Sequence, residues 1–215
     1  MIESRFRHAP SRNPRPAILI ALEDLRSARL YFESFKRELK AQRVIVIAPH
    51  VGSAPKSVID AVIKARDDPE LKDKAGLDEE DNYDEIWVVF DTEGPQNRRR
   101  NLDARHAIER ARQLGFHTAV SNPSFEYWLL IHFEWCVKSF EDGDAVCRLL
   151  KKRKHIPDFD KGKDCFSITR PYLQTAIGHA KRVFAERCQH TSNHPCDCHP
   201  CTEVYRLVES LLSEA

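Results

Sequence analysis

Residues 85–94, EIWVVFDTEG, combine the two features that decide the fold, a short continuous apolar run and an acidic pair directly behind it. An apolar run of this length without polar alternation is typical of a strand that is buried on both faces of a parallel sheet. Similar runs occur at 17–22 (AILIAL), 43–48 (RVIVIA) and 116–120 (FHTAV). The sequence therefore predicts four central strands.

The segments between and after these strands are amphipathic. Apolar residues recur near helical spacing at 27–40, 56–66, 97–114 and from Ser121–Pro123 onward. Regular alternation of strand and helix predicts an α/β fold with a doubly wound, mainly four-stranded parallel sheet.

Beyond about residue 135 the strand pattern disappears, and helices are predicted at 139–151, 169–188 and 202–213. The charged stretch 67–82 has few bulky apolar residues and is predicted to be a solvated loop. We therefore divide the chain into a flexible leader at 1–15, an α/β domain at 16–135, and a helical C-terminal extension at 136–215 with a Cys/His-rich loop at 188–201.

Composition excludes several classes of protein. A formal net charge of +1 argues against a surface that is basic overall, although it leaves local basic patches open. No apolar run is long enough to span a bilayer and the N-terminus lacks a signal-peptide pattern, so we expect a cytoplasmic protein without a membrane partner. Seven cysteines, an odd number, argue against a disulfide framework. Neither G-x-x-x-x-G-K-[ST] nor G-x-G-x-x-G occurs, so we expect no ATP chemistry from the chain itself.

Acidic residues follow two of the predicted strands. Glu23 and Asp24 come after the first, and Asp91 and Glu93 after the third. Sites in open parallel sheets form beyond the carboxyl ends of the strands, and positions i and i+2 leaving a strand share a side. If the first and third strands are neighbours, Glu23, Asp91 and Glu93 can hold one Mg²⁺ or Mn²⁺ ion. The alternative is that these residues cap helices or lie in exposed loops.

Further candidate residues lie near these acids. Glu126, at the start of the helix after the fourth strand, is a candidate catalytic residue that completes the metal site or binds the sugar-phosphate backbone. The alternative is a capping carboxylate at a helix N-terminus. Arg98, Arg99 and Arg100 directly follow the acidic pair and are candidates for binding nucleic-acid phosphates, with a solvated helix start as the alternative. His132 fits a packed, hydrogen-bonded histidine better than a catalytic one.

The segment 188–201 is rich in soft metal ligands. The candidate zinc ligands are Cys188, His190, His194, Cys196, Cys198 and Cys201, with His199 also in the segment. Cys196, Cys198 and Cys201 form the best nucleus of a tetrahedral structural site, with a fourth ligand from the remaining residues. The alternative is a reduced cysteine-rich loop without metal.

Two motifs connect the chain to a known family. Residues 121–134, SNPSFEYWLLIHFE, are very similar to the S-N-P-x-F-E-x-W-L-L-x-H-F segment of RloB-like proteins. Residues 200–209, PCTEVYRLVE, resemble that family's N-P-x-T-x-V-x-x-L-V-E ending. Glu23 followed by Asp91-x-Glu93 also resembles the Toprim arrangement, in which a Glu and a D-x-D pair hold Mg²⁺. The resemblance extends from Ala17 to Leu212.

This resemblance implies a Toprim-like fold, nuclease activity, a role in bacterial defence against phage and an ATPase partner protein. The chain departs from the family pattern after the first strand, where residues 23–28 read EDLRSA in place of E-G-x-K-T-E. The first Glu is retained, whereas the Gly, the Lys and the second Glu are not. The acidic pair is D-x-E instead of D-x-D.

Three functions are therefore compared. The first is a Mg²⁺- or Mn²⁺-dependent nuclease that acts on DNA or RNA. The second is a catalytically degenerate subunit that docks an ATPase partner or recognises nucleic acid without cleaving it. For each function a homo-oligomer is left open. The third is a zinc- or redox-sensing module centred on the cysteine-rich loop.

Overall fold

The computed structural model describes residues 16–48, 54–156, 158–188 and 194–213. The predicted leader at 1–15 and His190 lie outside the described residues.

A mostly parallel sheet forms the centre of the protein. Its strands are β1 (Ile18–Leu22), β2 (Val44–Ile47), β3 (Glu85–Asp91), β4 (His117–Asn122) and β5 (Cys201–Thr202). They lie in the order β2-β1-β3-β4-β5; the first four are parallel and β5 is antiparallel to β4. The predicted parallel strands are confirmed. The prediction that only helices follow residue 135 is wrong, because β5 is a two-residue strand and too short to give a period-two pattern.

Helices connect the strands and cover both faces of the sheet. They are α1 (Ser27–Glu38), α2 (Pro55–Arg66), α3 (Pro69–Lys74), α4 (Arg98–Gln113), α5 (Phe125–Leu130), α6 (Gly143–Lys152), α7 (Phe166–Thr169), α8 (Leu173–Cys188) and α9 (Val204–Ser213), with a 3₁₀ turn at Arg170–Tyr172. Helix α3 lies within the stretch predicted to be a loop. Asp68 caps it by accepting hydrogen bonds from the backbone N–H groups of Glu70 (2.9 Å) and Leu71 (3.3 Å), and Pro69 occupies the first turn.

The alternation of side chains along β1 divides the core into two layers. Ile18, Ile20 and Leu22 face a large apolar cluster built with α1, α5, α6, α8 and α9. Ala17, Leu19 and Ala21 face a second cluster built with α2 and α4. The helices from the predicted C-terminal extension thus pack in the same core layer as α1 and α5. Both faces of β1 are fully buried, which explains its unbroken apolar sequence.

His132 lies in the first of these layers. It is completely buried, its Nδ1 is 2.8 Å from the Trp128 carbonyl oxygen, and its ring packs edge-on against that of Trp128. Burial lowers the pKa of His132 to about 4, so the ring is neutral at physiological pH. Its position is that of a packed core histidine.

Among the described residues, no helix combines the length and apolar character needed to cross a membrane.

Candidate metal centre

The sheet topology brings the predicted acidic residues to one edge. Strands β1 and β3 are parallel neighbours with Leu22 opposite Val89, as the prediction for Glu23 required. The Glu23 backbone N–H continues this ladder by donating to the Val89 carbonyl oxygen (2.9 Å). Glu23 and Asp91 therefore both emerge at the carboxyl edge of the sheet.

The Glu23 side chain is fixed by two donors. Its Oε2 accepts a hydrogen bond from the Asp91 backbone N–H (3.2 Å), and its Oε1 contacts the guanidinium of Arg100 in an ion pair. Both side chains of the pair are only 9% exposed. Burial raises the pKa of Glu23, an effect that the Arg100 charge and hydrogen bond partly offset.

Asp91 ends β3 and points its carboxylate toward the start of α5, where the Phe125 backbone N–H donates to it. Burial, followed by the charges of Glu126, Glu23 and Asp24, raises the pKa of Asp91 well above its ordinary value. The carboxylates are thus close enough to oppose one another's ionisation. A divalent cation would relieve this repulsion.

Glu126 joins the same group from the first turn of α5. Its side chain is 2% exposed, and its Oε1 accepts a hydrogen bond from Ser27 Oγ (2.9 Å) and lies 3.7 Å from Lys161 Nζ. Burial, the largest single influence, works against the ammonium charge of Lys161, but Glu126 and the other acidic groups nearby together outweigh it, and the pKa of Lys161 is raised. Sequence reasoning placed Glu126 near the site but missed Lys161, which comes from a separate loop in the C-terminal segment.

Glu93 is oriented differently from Asp91. Strand β3 ends at Asp91, and Glu93 adopts the left-handed conformation (φ +63°), so the side alternation used in the prediction no longer holds there. Its side chain is 53% exposed and accepts a hydrogen bond from Asn97 Nδ2 (2.8 Å). Glu93 still lines the cleft, and its role as a metal ligand stays a prediction.

The three arginines at the start of α4 lie in different environments. Arg98 and Arg99 are exposed, as expected for residues that contact a phosphate backbone. Arg100 is 8% exposed, donates from Nε to the Asp91 carbonyl oxygen (3.0 Å) and pairs with Glu23. Its buried guanidinium compensates a carboxylate of the cleft. The role of the three residues in nucleic-acid binding stays a prediction.

A cleft of about 440 Å³ opens over these groups. Seven carboxylates and two basic side chains line it: Glu23, Asp24, Asp91, Glu93, Glu126, Asp142 and Asp144, with Arg100 and Lys161. Two of the acids already serve as helix caps, since Asp24 accepts from the backbone N–H of Ala28 (3.0 Å) and Asp142 from that of Ala145 (2.8 Å). Sequence reasoning missed Asp142 and Asp144, because no local pattern connects α6 to the sheet edge.

Two glycines let the start of α6 approach the cleft. A Cβ atom at Gly143 would lie 2.6 Å from Ser124 Oγ, and one at Gly94 would lie 2.5 Å from the Glu141 carbonyl oxygen. Both distances are shorter than any ordinary contact of a Cβ atom, so the chain segments meet only because these side chains are absent. Ser124 Oγ, buried at this meeting point, has no hydrogen-bond partner among the described residues.

The structure separates the candidate zinc ligands into groups. The sulfur atoms of Cys188, Cys198 and Cys201 come together, whereas Cys196 is buried in the core layer of α2 and α4. His194 Nδ1 accepts a hydrogen bond from the Cys196 backbone N–H (3.2 Å). The predicted nucleus of Cys196, Cys198 and Cys201 is therefore not the group that the fold assembles.

Fold and cleft together define an α/β protein with a mostly parallel, five-stranded sheet and an acidic cleft at the carboxyl edge of that sheet. The family model described as RloB-like protein matches residues 18–211, nearly the whole chain. The chain therefore belongs to the RloB-like protein family. No curated protein and no solved structure matches it.

Proposed function

We propose that the chain is a Mg²⁺- or Mn²⁺-dependent nuclease of the Toprim type that hydrolyses phosphodiester bonds in DNA or RNA. One observation carries the proposal. Glu23, Asp91 and Glu126 come from three segments that are far apart in sequence, and their carboxylates meet in one cleft where burial, and then the charges of Glu126 and Glu23, raise the pKa of Asp91. Such perturbed acids in a cleft are typical of catalytic sites.

The donor set fits a hard divalent cation. All candidate ligand atoms are carboxylate oxygens, which Mg²⁺ and Mn²⁺ prefer. The two Glu23 oxygens each accept a hydrogen bond already, but a carboxylate oxygen has more than one lone pair, so both can still coordinate. When bound, the cation would supply Lewis acidity that polarises the phosphodiester and stabilises the leaving oxygen.

The basic side chains of the chain have complementary roles in this proposal. Lys161 lies at the cleft beside Glu126, where its ammonium group is suited to hold a non-bridging phosphate oxygen. Arg98 and Arg99, exposed at the rim of α4, would attract the neighbouring phosphates. Glu23 is the candidate general base for the attacking water, held in orientation by Arg100.

The Toprim assignment and the biological role rest on the resemblance to RloB-like proteins. An acidic residue after the first strand and a D-x-E pair after the third are the elements that support the Toprim comparison. By the same resemblance, we propose that the chain acts in bacterial anti-phage defence with an ATPase partner. The absence of phosphate-binding glycine motifs from the chain is consistent with ATP hydrolysis by a separate protein.

A second candidate function is a non-cleaving subunit that docks the ATPase partner or nucleic acid. The observation that favours it is the ion pair between Arg100 and Glu23, because a guanidinium already compensates one of the proposed ligands. In this alternative the cleft is an anchored structural network and binds no catalytic cation.

Cleavage assays separate the two functions. Labelled single-stranded DNA, double-stranded DNA and total tRNA are incubated with the chain and Mg²⁺ or Mn²⁺, with and without a candidate ATPase partner. The variant is Asp91→Asn, and the matched control is Asp158→Asn, which changes an exposed acid outside the cleft. The nuclease proposal expects metal-dependent cleavage by the wild type and the control and none by Asp91→Asn. Equal products from Asp91→Asn would refute it, and no cleavage with intact partner binding would favour the docking subunit.

A further inference from the structure

Three buried cysteines converge at the far edge of the sheet. Cys188 is the last residue of α8, Cys198 lies in the loop before β5, and Cys201 is the first residue of β5. All three have no exposed surface, and their Sγ atoms lie within 4.8 Å of one another. We refer to these residues as the cysteine cluster. Val183 packs against it, with Val137 and Phe184 at its border.

We propose that the cysteine cluster is a structural zinc site, in which Cys188, Cys198 and Cys201 provide three thiolate ligands. A tetrahedral site with Zn–S bonds of about 2.3 Å places its sulfur atoms about 3.8 Å apart. The three Sγ atoms are gathered within 4.8 Å of one another, and reduction of the Cys188–Cys198 bond lets that pair separate to the distance that zinc requires. Cys198 and Cys201 also have the two-residue spacing that is common for pairs of zinc ligands. Among the described residues, no fourth His, Cys, Asp or Glu atom joins the group.

The convergence of three sulfurs is the feature that a disulfide does not explain. Cys188 and Cys198 are joined as a disulfide pair in the structure, with their Cα atoms 5.2 Å apart. That bond uses two of the three sulfurs and leaves Cys201 as a third buried thiol, whose pKa burial raises far above its ordinary value. From the disulfide state, a thiol reductant first supplies two electrons and is itself oxidised to a disulfide, which leaves three cysteine thiols. Zinc coordination then uses all three as thiolates, releases one proton from each and involves no further redox change. The two states use the same Cys188 and Cys198 sulfurs and are mutually exclusive.

Neighbouring side chains are already engaged elsewhere, which defines the ligand set. His199 Nδ1 lies 2.7 Å from Asn122 Oδ1, and its Nε2 lies 2.6 Å from the Phe140 carbonyl oxygen, so both ring nitrogens have partners. Cys196 is buried on the opposite layer of the core. Neither residue is therefore expected to bind the metal, although each lies within two positions of Cys198.

The position of the cluster gives the zinc a structural task. It would tie the end of α8 to β5, and β5 pairs with the end of β4 through Ser121 opposite Thr202, whose hydroxyl oxygens are 2.9 Å apart. Ser121 is in turn opposite Asp91 in the sheet. The zinc site would thus support the strand next to the acidic cleft without contributing to its chemistry. The inference is independent of the proposed nuclease function.

The test is metal analysis of the full chain, produced with zinc in the medium and purified with a non-thiol reductant and no chelator. We expect one zinc per chain in the wild type and in the matched control Cys196→Ser, and a loss of bound zinc in Cys198→Ser and Cys201→Ser. Mass spectrometry of the alkylated, denatured protein then counts free thiols. A zinc-free wild type, whether its mass shows a disulfide or seven free thiols, overturns the proposal.

A second measurement does not depend on whether the cysteine variants fold. Co²⁺ replaces zinc in the wild-type chain, and the intensity of the sulfur-to-cobalt charge-transfer absorption reports the number of thiolate ligands. Three thiolates per cobalt support the assignment, and fewer than three overturn it. Catalytic cations such as Mg²⁺ and Mn²⁺ are not expected to compete for these sulfurs, because they prefer oxygen ligands.

Discussion

The acidic cleft and the cysteine cluster both gather side chains from distant parts of the sequence, but they differ in charge and in access to solvent. The cleft opens to solvent and contains carboxylates that oppose one another's ionisation. The cluster is closed, with all three cysteines fully buried among apolar residues. Open sites with exchangeable positions suit catalysis, whereas closed sites suit structural metals. The two proposals together assign one metal to chemistry at the open cleft and another to stability at the closed cluster.

Metal removal tests this contrast most directly and has the largest expected effect. Stripping zinc from the reduced protein is expected to lower the free energy of unfolding by several kcal/mol, because structural zinc contributes folding free energy directly. If free Mg²⁺ is present at 100 times its Kd for the cleft, its removal lowers the free energy of unfolding by only about 2.7 kcal/mol. Urea unfolding followed by circular dichroism, with a zinc-selective chelator in one series and Mg²⁺ omitted in another, measures both. A larger loss of unfolding free energy on Mg²⁺ withdrawal than on zinc removal would contradict the prediction that the cysteine cluster stabilises the fold more than the acidic cleft does.

Substitution of Arg100, the buried arginine of the cleft, is expected to have the next largest effect on the free energy of unfolding. Arg100→Ala leaves Glu23 buried without its guanidinium, and breaking a buried ion pair on one side costs about 3–5 kcal/mol. The matched control is Arg99→Ala, an exposed neighbour in the same helical turn, for which we expect a change within about 0.5 kcal/mol. Added Mg²⁺ should restore part of the stability lost in Arg100→Ala. Equal urea midpoints for the two variants would show that the Arg100 guanidinium does not stabilise the protein by compensating the charge of Glu23.

The arginine run also shows where sequence reasoning reaches its limit. The apolar runs predict the four parallel strands, because a strand buried on both faces is typically a short continuous apolar run. They also place Glu23 and Asp91 at one edge.

The three consecutive arginines look equivalent in sequence, yet successive residues in a helix point about 100° apart, so only Arg100 turns inward. Which of the three does so depends on how α4 packs on the sheet.

The central ligands predicted for the cysteine-rich loop differ from the group that the fold brings together, for a related reason. Spacing favoured Cys196, Cys198 and Cys201, but Cys196 is buried in one core layer while Cys201 joins Cys188 at the end of α8. Local sequence contains no information on which layer a loop residue enters. Likewise, Lys161 reaches Glu126 only through the packing of the C-terminal segment, and no motif connects the two.

His132 shows how burial affects the pH dependence of stability, because it lies in the core and outside the charged cleft. Burial lowers the pKa of His132 to about 4, so between pH 6.5 and 4 the unfolded chain binds a proton that the folded chain does not. The free energy of unfolding should therefore fall as the pH decreases through this window, by about 3 kcal/mol in total. His132→Gln, which does not titrate, should flatten this dependence, whereas the exposed control His106→Gln should keep it. An unchanged pH profile in His132→Gln would show that other groups cause the acid sensitivity.

Asp91 should change the free energy of unfolding in the opposite direction as the pH rises. Its substitution has the smallest effect that we expect. Its raised pKa means that the folded chain binds a proton at pH values above the ordinary 3.8, where the unfolded chain has released it, so this group lowers stability as the pH rises. Asp91→Asn removes the repelling charge and is expected to stabilise the metal-free protein at neutral pH by about 0.5–2 kcal/mol, a typical gain when a functional site is relaxed. The exposed control Asp158→Asn should change little.

Mn²⁺ is expected to stabilise the wild type, and the same Asp91→Asn variant should lose this effect, because it removes a proposed ligand whose charge favours the cation. Thermal melts of the wild type, Asp91→Asn and Asp158→Asn, each with and without Mn²⁺, measure both effects in one experiment. A variant that is more stable without metal and indifferent to Mn²⁺ would establish the cleft as a site where charge repulsion is retained for metal binding. A variant that is less stable and still responds to Mn²⁺ would show that Asp91 supports the fold and that the cation binds elsewhere.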